Sequence, residues 1–168
     1  MIKDVLLLTV FPAGMALAAA TDLFTMTVPN RIVIALVAGF FLVAPLAGLG
    51  WSDIGIHAAF AGLALLIGFG LFAFGWIGGG DAKLFAATAL WLGPDALLTY
   101  SLITALIGGA LTLALLFLRG VPLPVALAGQ GWIVRLHDAK EGVPYCIALA
   151  AGGLLVYPQT PFMAALGG

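Results

Sequence analysis

The chain has 168 residues, of which 64% are hydrophobic and 8% charged, with a net charge of −1. A soluble domain of this length needs a polar surface, and a mean hydropathy of +1.23 leaves none, so the composition is that of an integral membrane protein. A spanning helix takes about 20 apolar residues, which leaves room for about six spans and no separate soluble domain. The single cysteine, Cys146, excludes a disulfide framework and a Cys-based zinc site within one chain.

The N-terminal stretch MIKDVLLLTVFPAGMALAAATD has the apolar run and small residues of a signal peptide. Asp4 spoils the basic start and the apolar run outlasts a signal core, so residues 5–22 read as a first span kept in the mature protein. Further spans are expected at 31–50, 55–76, 82–93, 96–118 and 143–166. Turn residues separate them: Val28-Pro29-Asn30, the glycines of 78–80, Gly93-Pro94-Asp95 and Pro122-Leu123-Pro124. The fourth span, preceded by a glycine-rich break, is too short to cross about 30 Å of hydrocarbon by itself, so it either extends backwards through the glycines or lies partly inside a bundle of the other five. The expected fold class is all-α, one membrane-embedded domain over residues 1–168 with about six transmembrane helices. Pro12 is placed to kink the first span, and Pro158 and Pro161 to end or bend the last. Trp51, Trp76, Trp91 and Trp132 fall near span ends and read as an aromatic belt.

Orientation follows from the basic residues. Arg31, Lys83, Arg119, Arg135 and Lys140 lie in the odd-numbered connections, against Lys3 alone on the other side, which puts those connections in the cytoplasm and both termini outside. The polar segment 119–142 carries Trp132, Arg135, His137, Asp138, Lys140 and Glu141, and reads as an interfacial piece on the cytoplasmic leaflet. Asp53 and His57 are four apart, but two ligands are too few for a metal; a surface hydrogen bond or an interfacial position is the expectation for His57. His137, Asp138 and Glu141 are read in the same way.

Two acids remain. Asp22 closes the first span and Asp81, in the stretch GGGDAK, opens the fourth; both fall at cytoplasmic helix ends and can face each other at one depth. A charge inside an apolar helix costs about 2.5–3.5 kcal/mol on insertion scales, so such residues mark function when they recur together. Two carboxyl groups in close approach cannot both ionise, and the pair titrates as a unit. One can then take a proton from water while the other hydrogen-bonds a carbonyl under attack, which is peptide hydrolysis of the aspartic type. The glycines beside Asp81 would let a substrate backbone come close.

At these positions the chain resembles the prepilin peptidase family, membrane aspartic proteases of the GxGD kind that remove the leader of type IV pilin-like precursors. The first motif is Asp22, then LFTMTV, then Pro29-Asn30; the second is Gly78-Gly79-Gly80-Asp81-Ala82-Lys83. A third match, VPYCIALAAGG at 143–153, resembles the family's Pro-aromatic-Gly segment, with Cys146 where Gly is usual. The resemblance implies a single peptidase domain with Asp22 and Asp81 as the catalytic dyad. Gly78 and Gly80 would shape the surroundings of Asp81, and Pro29 and Asn30 would turn the chain into the second span. Lys83 would snorkel to the interface. The inserted CxxC segment associated with methyltransferase activity has no counterpart here, so the resemblance is to the short form found with Flp-type, tight-adherence pili, and methylation is not implied. The implied partners are a pilin precursor and the lipid bilayer, with no nucleic acid, no metal and no organic cofactor, in a bacterial or archaeal cytoplasmic membrane. Two rivals stand beside this reading: an intramembrane-carboxylate transporter or proton-conducting subunit, and a non-catalytic pilus-assembly protein that would tolerate loss of either acid.

Overall fold

A computed structural model describes residues 2–166, which form helices and connections, with no strand among them. Seven α-helices follow one another: α1 (Ile2–Thr25), α2 (Asn30–Leu46), α3 (Trp51–Ala73), α4 (Gly79–Arg119), α5 (Gly131–His137), α6 (Cys146–Val156) and α7 (Pro161–Ala164). Short 3-10 turns stand at Val125–Leu127 and Tyr157–Gln159. Three helices, α1, α3 and α4, are long and apolar enough to cross a membrane. Around the bundle, large apolar side chains such as Leu66, Leu106 and Phe117 point outward, as lipid contact requires.

Local chemistry sets the helix ends. Asp53 accepts the Gly50 N–H at 3.2 Å and so caps the start of α3. At its other end Gly75 takes φ 74°, where a side chain would be strained. Trp76 and Gly75 then donate back to the carbonyls of Leu71 and Phe72 at 3.0 and 2.8 Å, the paired bonds of a glycine-terminated helix. The chain stays non-helical through Gly78, and α4 starts at Gly79.

α4 is not straight. Gly93 has φ 72° and ψ 179° and is followed by Pro94, so the ladder breaks there. The rings of Phe85 and Tyr100 stack with centroids 5.3 Å apart, whereas fifteen residues of straight helix would separate them by about 22 Å. The two parts of α4, 79–92 and 94–119, therefore fold back against each other. The first part, at about 1.5 Å per residue, is near 21 Å long, and its surroundings are protein: Leu84 and Ala86 to Leu92 are all buried. Gly68 of α3 lets Ala82 come close, since a Cβ there would stand 3.1 Å from the alanine's own.

The core differs from the sequence expectations at three places. Trp91, expected in an aromatic belt, is fully buried and donates its indole N–H to the Leu36 carbonyl at 2.9 Å; folding back at Gly93 turns a span end into the middle of the bundle. Trp51 and Trp76 are exposed. His57, expected at the surface, is buried, with Nδ1 2.8 Å from the Leu90 carbonyl and its ring stacked 5.6 Å from Phe40. The last expected span is interrupted: α6 ends at Val156, the chain makes a 3-10 turn through Pro158, and α7 starts on Pro161. This turn delivers Tyr157 and Phe162 to a cluster with Phe11, Phe40 and Trp91, including centroid separations of 4.6 Å (Phe11–Tyr157) and 5.1 Å (Trp91–Phe162).

Candidate active site

Three helix ends meet at the other end of the bundle. Asp22 lies in the last turn of α1, which stops at Met26 in a left-handed conformation (φ 53°) whose N–H returns to the Asp22 carbonyl at 2.7 Å. Asp81 lies in the first turn of α4, and Cys146 opens α6. The Cys146 amide donates to Asp22 Oδ2 at 3.0 Å, and its thiol donates to Asp81 Oδ1, also at 3.0 Å. One carboxylate oxygen of each aspartate and the Cys146 sulfur all lie within 4.8 Å of one another. Donors of this kind and spacing are also what a divalent metal would use, and no other such group occurs among the described residues.

The aspartates are not equivalent. Asp22 is only 7% exposed, whereas Asp81 is half-buried and borders a cleft of about 760 Å³. Leu71 of α3, Trp76, Gly78, Thr104 of the second part of α4, and Tyr145 help to line that cleft; Asp22 does not. Asp81 stands at the positive end of a helix dipole and Asp22 at the negative end of another.

The remaining motif residues divide. Gly78 lies against the dyad, where a Cβ would come within 2.8 Å of Asp81 Oδ2. Gly80 faces Val28 instead, with ordinary van der Waals room. Pro29, at φ −61°, precedes the first turn of α2. Asn30 and Lys83 form a link between the two motifs: the ammonium of Lys83 donates to Asn30 Oδ1 at 3.0 Å. Lys83 is exposed, and its ammonium reaches the start of α2.

Segment 119–142 closes over the same end. Trp132 packs edge-on against Phe24 at 5.4 Å, and Arg135 donates to the Phe24 carbonyl, one of the carbonyls that the end of α1 leaves without a partner. Arg119 ties the segment to the end of α4 through the carbonyls of Leu136 and Gly142, at 2.9 and 2.8 Å. Asp138 accepts the Lys140 N–H at 2.9 Å. Cys146 is the residue that motif reasoning did not place at the site. Its available signal was its place in the third match, VPYCIALAAGG, where it stands in the position usually held by Gly.

Paired acids on separate apolar helices, brought together by a glycine-led helix start, define a class that comparison with known proteins makes specific. Residues 9–113 match the type IV leader peptidase family, and the chain belongs to that family. It is similar to the prepilin leader peptidase/N-methyltransferase of Bacillus subtilis (strain 168), with 32% identity over 152 residues. The match covers 88% of this chain and 53% of the relative, so the chain spans about half the length of that protein. No solved structure matches it. Family and apolar helices together make it a membrane protein.

Proposed function

We propose that this chain is a membrane aspartic endopeptidase that cleaves the short basic leader from type IV pilin-like precursors, of the Flp type, at the cytoplasmic face. The observation that carries the reading is the convergence of Asp22 and Asp81 on one residue, each 3.0 Å from an atom of Cys146. The dyad holds one proton. Asp81, at the N-terminus of α4 and bordering the cleft, is the better seat for the negative charge. It takes a proton from a water molecule as that water's oxygen attacks the scissile carbonyl carbon. Asp22, behind it, keeps the proton and donates a hydrogen bond to the carbonyl oxygen as charge develops there. Collapse of the tetrahedral intermediate breaks the C–N bond, and the proton gained by Asp81 passes to the leaving amine. Such acid–base assistance is worth about 10²–10⁴ in rate for each participating group.

The cleft suits the apolar segment that follows the scissile bond, because its walls are largely apolar and Asp81 lies on its border. The basic leader then remains with the cytoplasmic charges of the chain, in keeping with the positive-inside rule. In this reading the domain crosses the membrane about six times with both termini outside, the first part of α4 is embedded among the other helices, and segment 119–142 lies on the cytoplasmic leaflet.

Co-expression with a pilin precursor from the same genome tests the function, with Asp22→Asn and Asp81→Asn run beside the wild type at matched expression. Leader removal by the wild type and by neither variant is the expected result. Intact precursor in the wild-type lane would overturn it and favour a transport or assembly role.

A further inference from the structure

The two aspartates are held by a residue that lies outside both of the motifs carrying them, in the third match at 143–153. α6 begins at Cys146 after the irregular stretch 142–144 and a turn at Tyr145. The first N–H groups of a helix have no acceptor inside it, and this one is used on Asp22 Oδ2 at 3.0 Å. The side chain is fully buried and sends its S–H to Asp81 Oδ1 at 3.0 Å. One residue therefore ties both carboxyl groups, through two donors of different kinds. The amide belongs to the backbone and would survive any substitution except proline, whereas the thiol donor belongs to cysteine. Asp81 is thus held at Oδ1 by the thiol, while the absence of a side chain at Gly78 leaves room for Oδ2, since a Cβ there would come within 2.8 Å of it. The thiol bond occupies Oδ1 and so favours one orientation of the carboxyl toward the cleft that Asp81 borders. The groups facing the thiol are Asp22 from α1 and Asp81 and Tyr100 from the two parts of α4.

We propose that Cys146 is a positioning residue of the catalytic dyad, its thiol holding the Asp81 carboxyl in the orientation that activates water while its amide holds Asp22. The inference rests on the peptidase reading above. It makes the turnover of this chain depend on a hydrogen-bond donor supplied by α6, a helix remote in sequence from both aspartates. Precise placement matters because a catalytic group displaced by about 1 Å can lose about 10² in rate.

Purified full-length protein in detergent, with a precursor peptide as substrate, tests this through Cys146→Ala and Cys146→Ser. Alanine keeps the amide donor and removes the side-chain donor; serine restores an O–H at nearly the same place. The expected result is a kcat about tenfold lower for Cys146→Ala with KM within about twofold of wild type, a changed pH–rate profile, and recovery of most of kcat and of the profile in Cys146→Ser. Equal losses in both variants would reduce Cys146 to a packing role and overturn the proposal, as would wild-type kcat and pH profile in Cys146→Ala. Should Cys146→Ala fail to fold, the serine variant decides alone: the wild-type profile supports positioning, and an altered one contradicts it. The wild-type control separates the two readings. No cleavage there removes the peptidase function and this inference with it, whereas cleavage there with an indifferent Cys146→Ala removes this inference only.

Discussion

Two glycine-marked breaks bracket the first part of α4, and the molecule uses them in opposite ways. At Gly93 the chain reverses with φ 72°, and the space is filled: a Cβ would stand 2.5 Å from the His57 ring. Around that break the polar groups are paired, with His57 on the Leu90 carbonyl, the Trp91 indole on Leu36 and the Tyr157 hydroxyl on Leu7. At Gly78 the backbone is extended and exposed, and the nearest groups are a carboxylate and a cleft of about 760 Å³. Low dielectric makes an unpaired buried polar group costly, so the closed break stabilises and the open break keeps charge available. In the proposed peptidase, the closed end would hold the bundle together while the open end would admit water.

Substitutions can break that contrast, and the largest effect belongs to the closed end. Gly93→Ala places a side chain at positive φ and into the His57 ring, and should cost roughly 2–5 kcal/mol of stability, read as a lower melting temperature in detergent. Gly78→Ala has an ordinary backbone conformation (φ −71°, ψ 143°), so unfolding should move by less than about 1 kcal/mol. Its methyl group would displace the Asp81 carboxyl, and leader cleavage should fall about 10²-fold. If Gly78→Ala instead melted early and kept its activity, the two breaks would be alike. Trp91→Phe keeps most of the ring packing and removes one hydrogen bond to the Leu36 carbonyl, which lies within α2 and keeps its helical partner, for about 0.5–1.5 kcal/mol in thermal unfolding with cleavage per folded molecule unchanged. Asn30→Ala removes the exposed link to Lys83; about 0.5–1 kcal/mol or less is expected in melting, with cleavage close to wild type. A large loss of cleavage there would move the boundary of the open end outward to the Asn30–Lys83 link.

The legible parts of the sequence were those where a residue type conflicts with its surroundings. A carboxylate in a long apolar run is such a conflict, and Asp22 and Asp81, at predicted helix ends on one side, come together in the fold. The end of α3 and the start of α4 were marked by glycines for the same reason. The turn at Gly93-Pro94-Asp95 was legible, but the long-range contacts that the reversal creates were not. Trp91 has the sequence context of a span end, and only the fold-back at Gly93, seen in the Phe85–Tyr100 stack, buries it. His57 looks like an isolated polar residue until Leu90, 33 positions away, supplies its acceptor. Cys146 was visible as a single thiol, but its partners are 124 and 65 residues distant, beyond any local pattern. The apolar run 143–166 conceals its interruption because Pro158 and Pro161 break a helix without changing hydropathy.

The central claim is that Asp22 and Asp81 act as one catalytic unit, and a double-mutant comparison tests it most directly. Initial rates of leader release would be measured for purified wild type, Asp22→Asn, Asp81→Asn and the double variant on one precursor. A shared-proton dyad predicts that each single variant falls to the level of the double, because neither acid works without the other. Substantial cleavage by either single variant, or a double variant slower by the product of two separate losses, would contradict it.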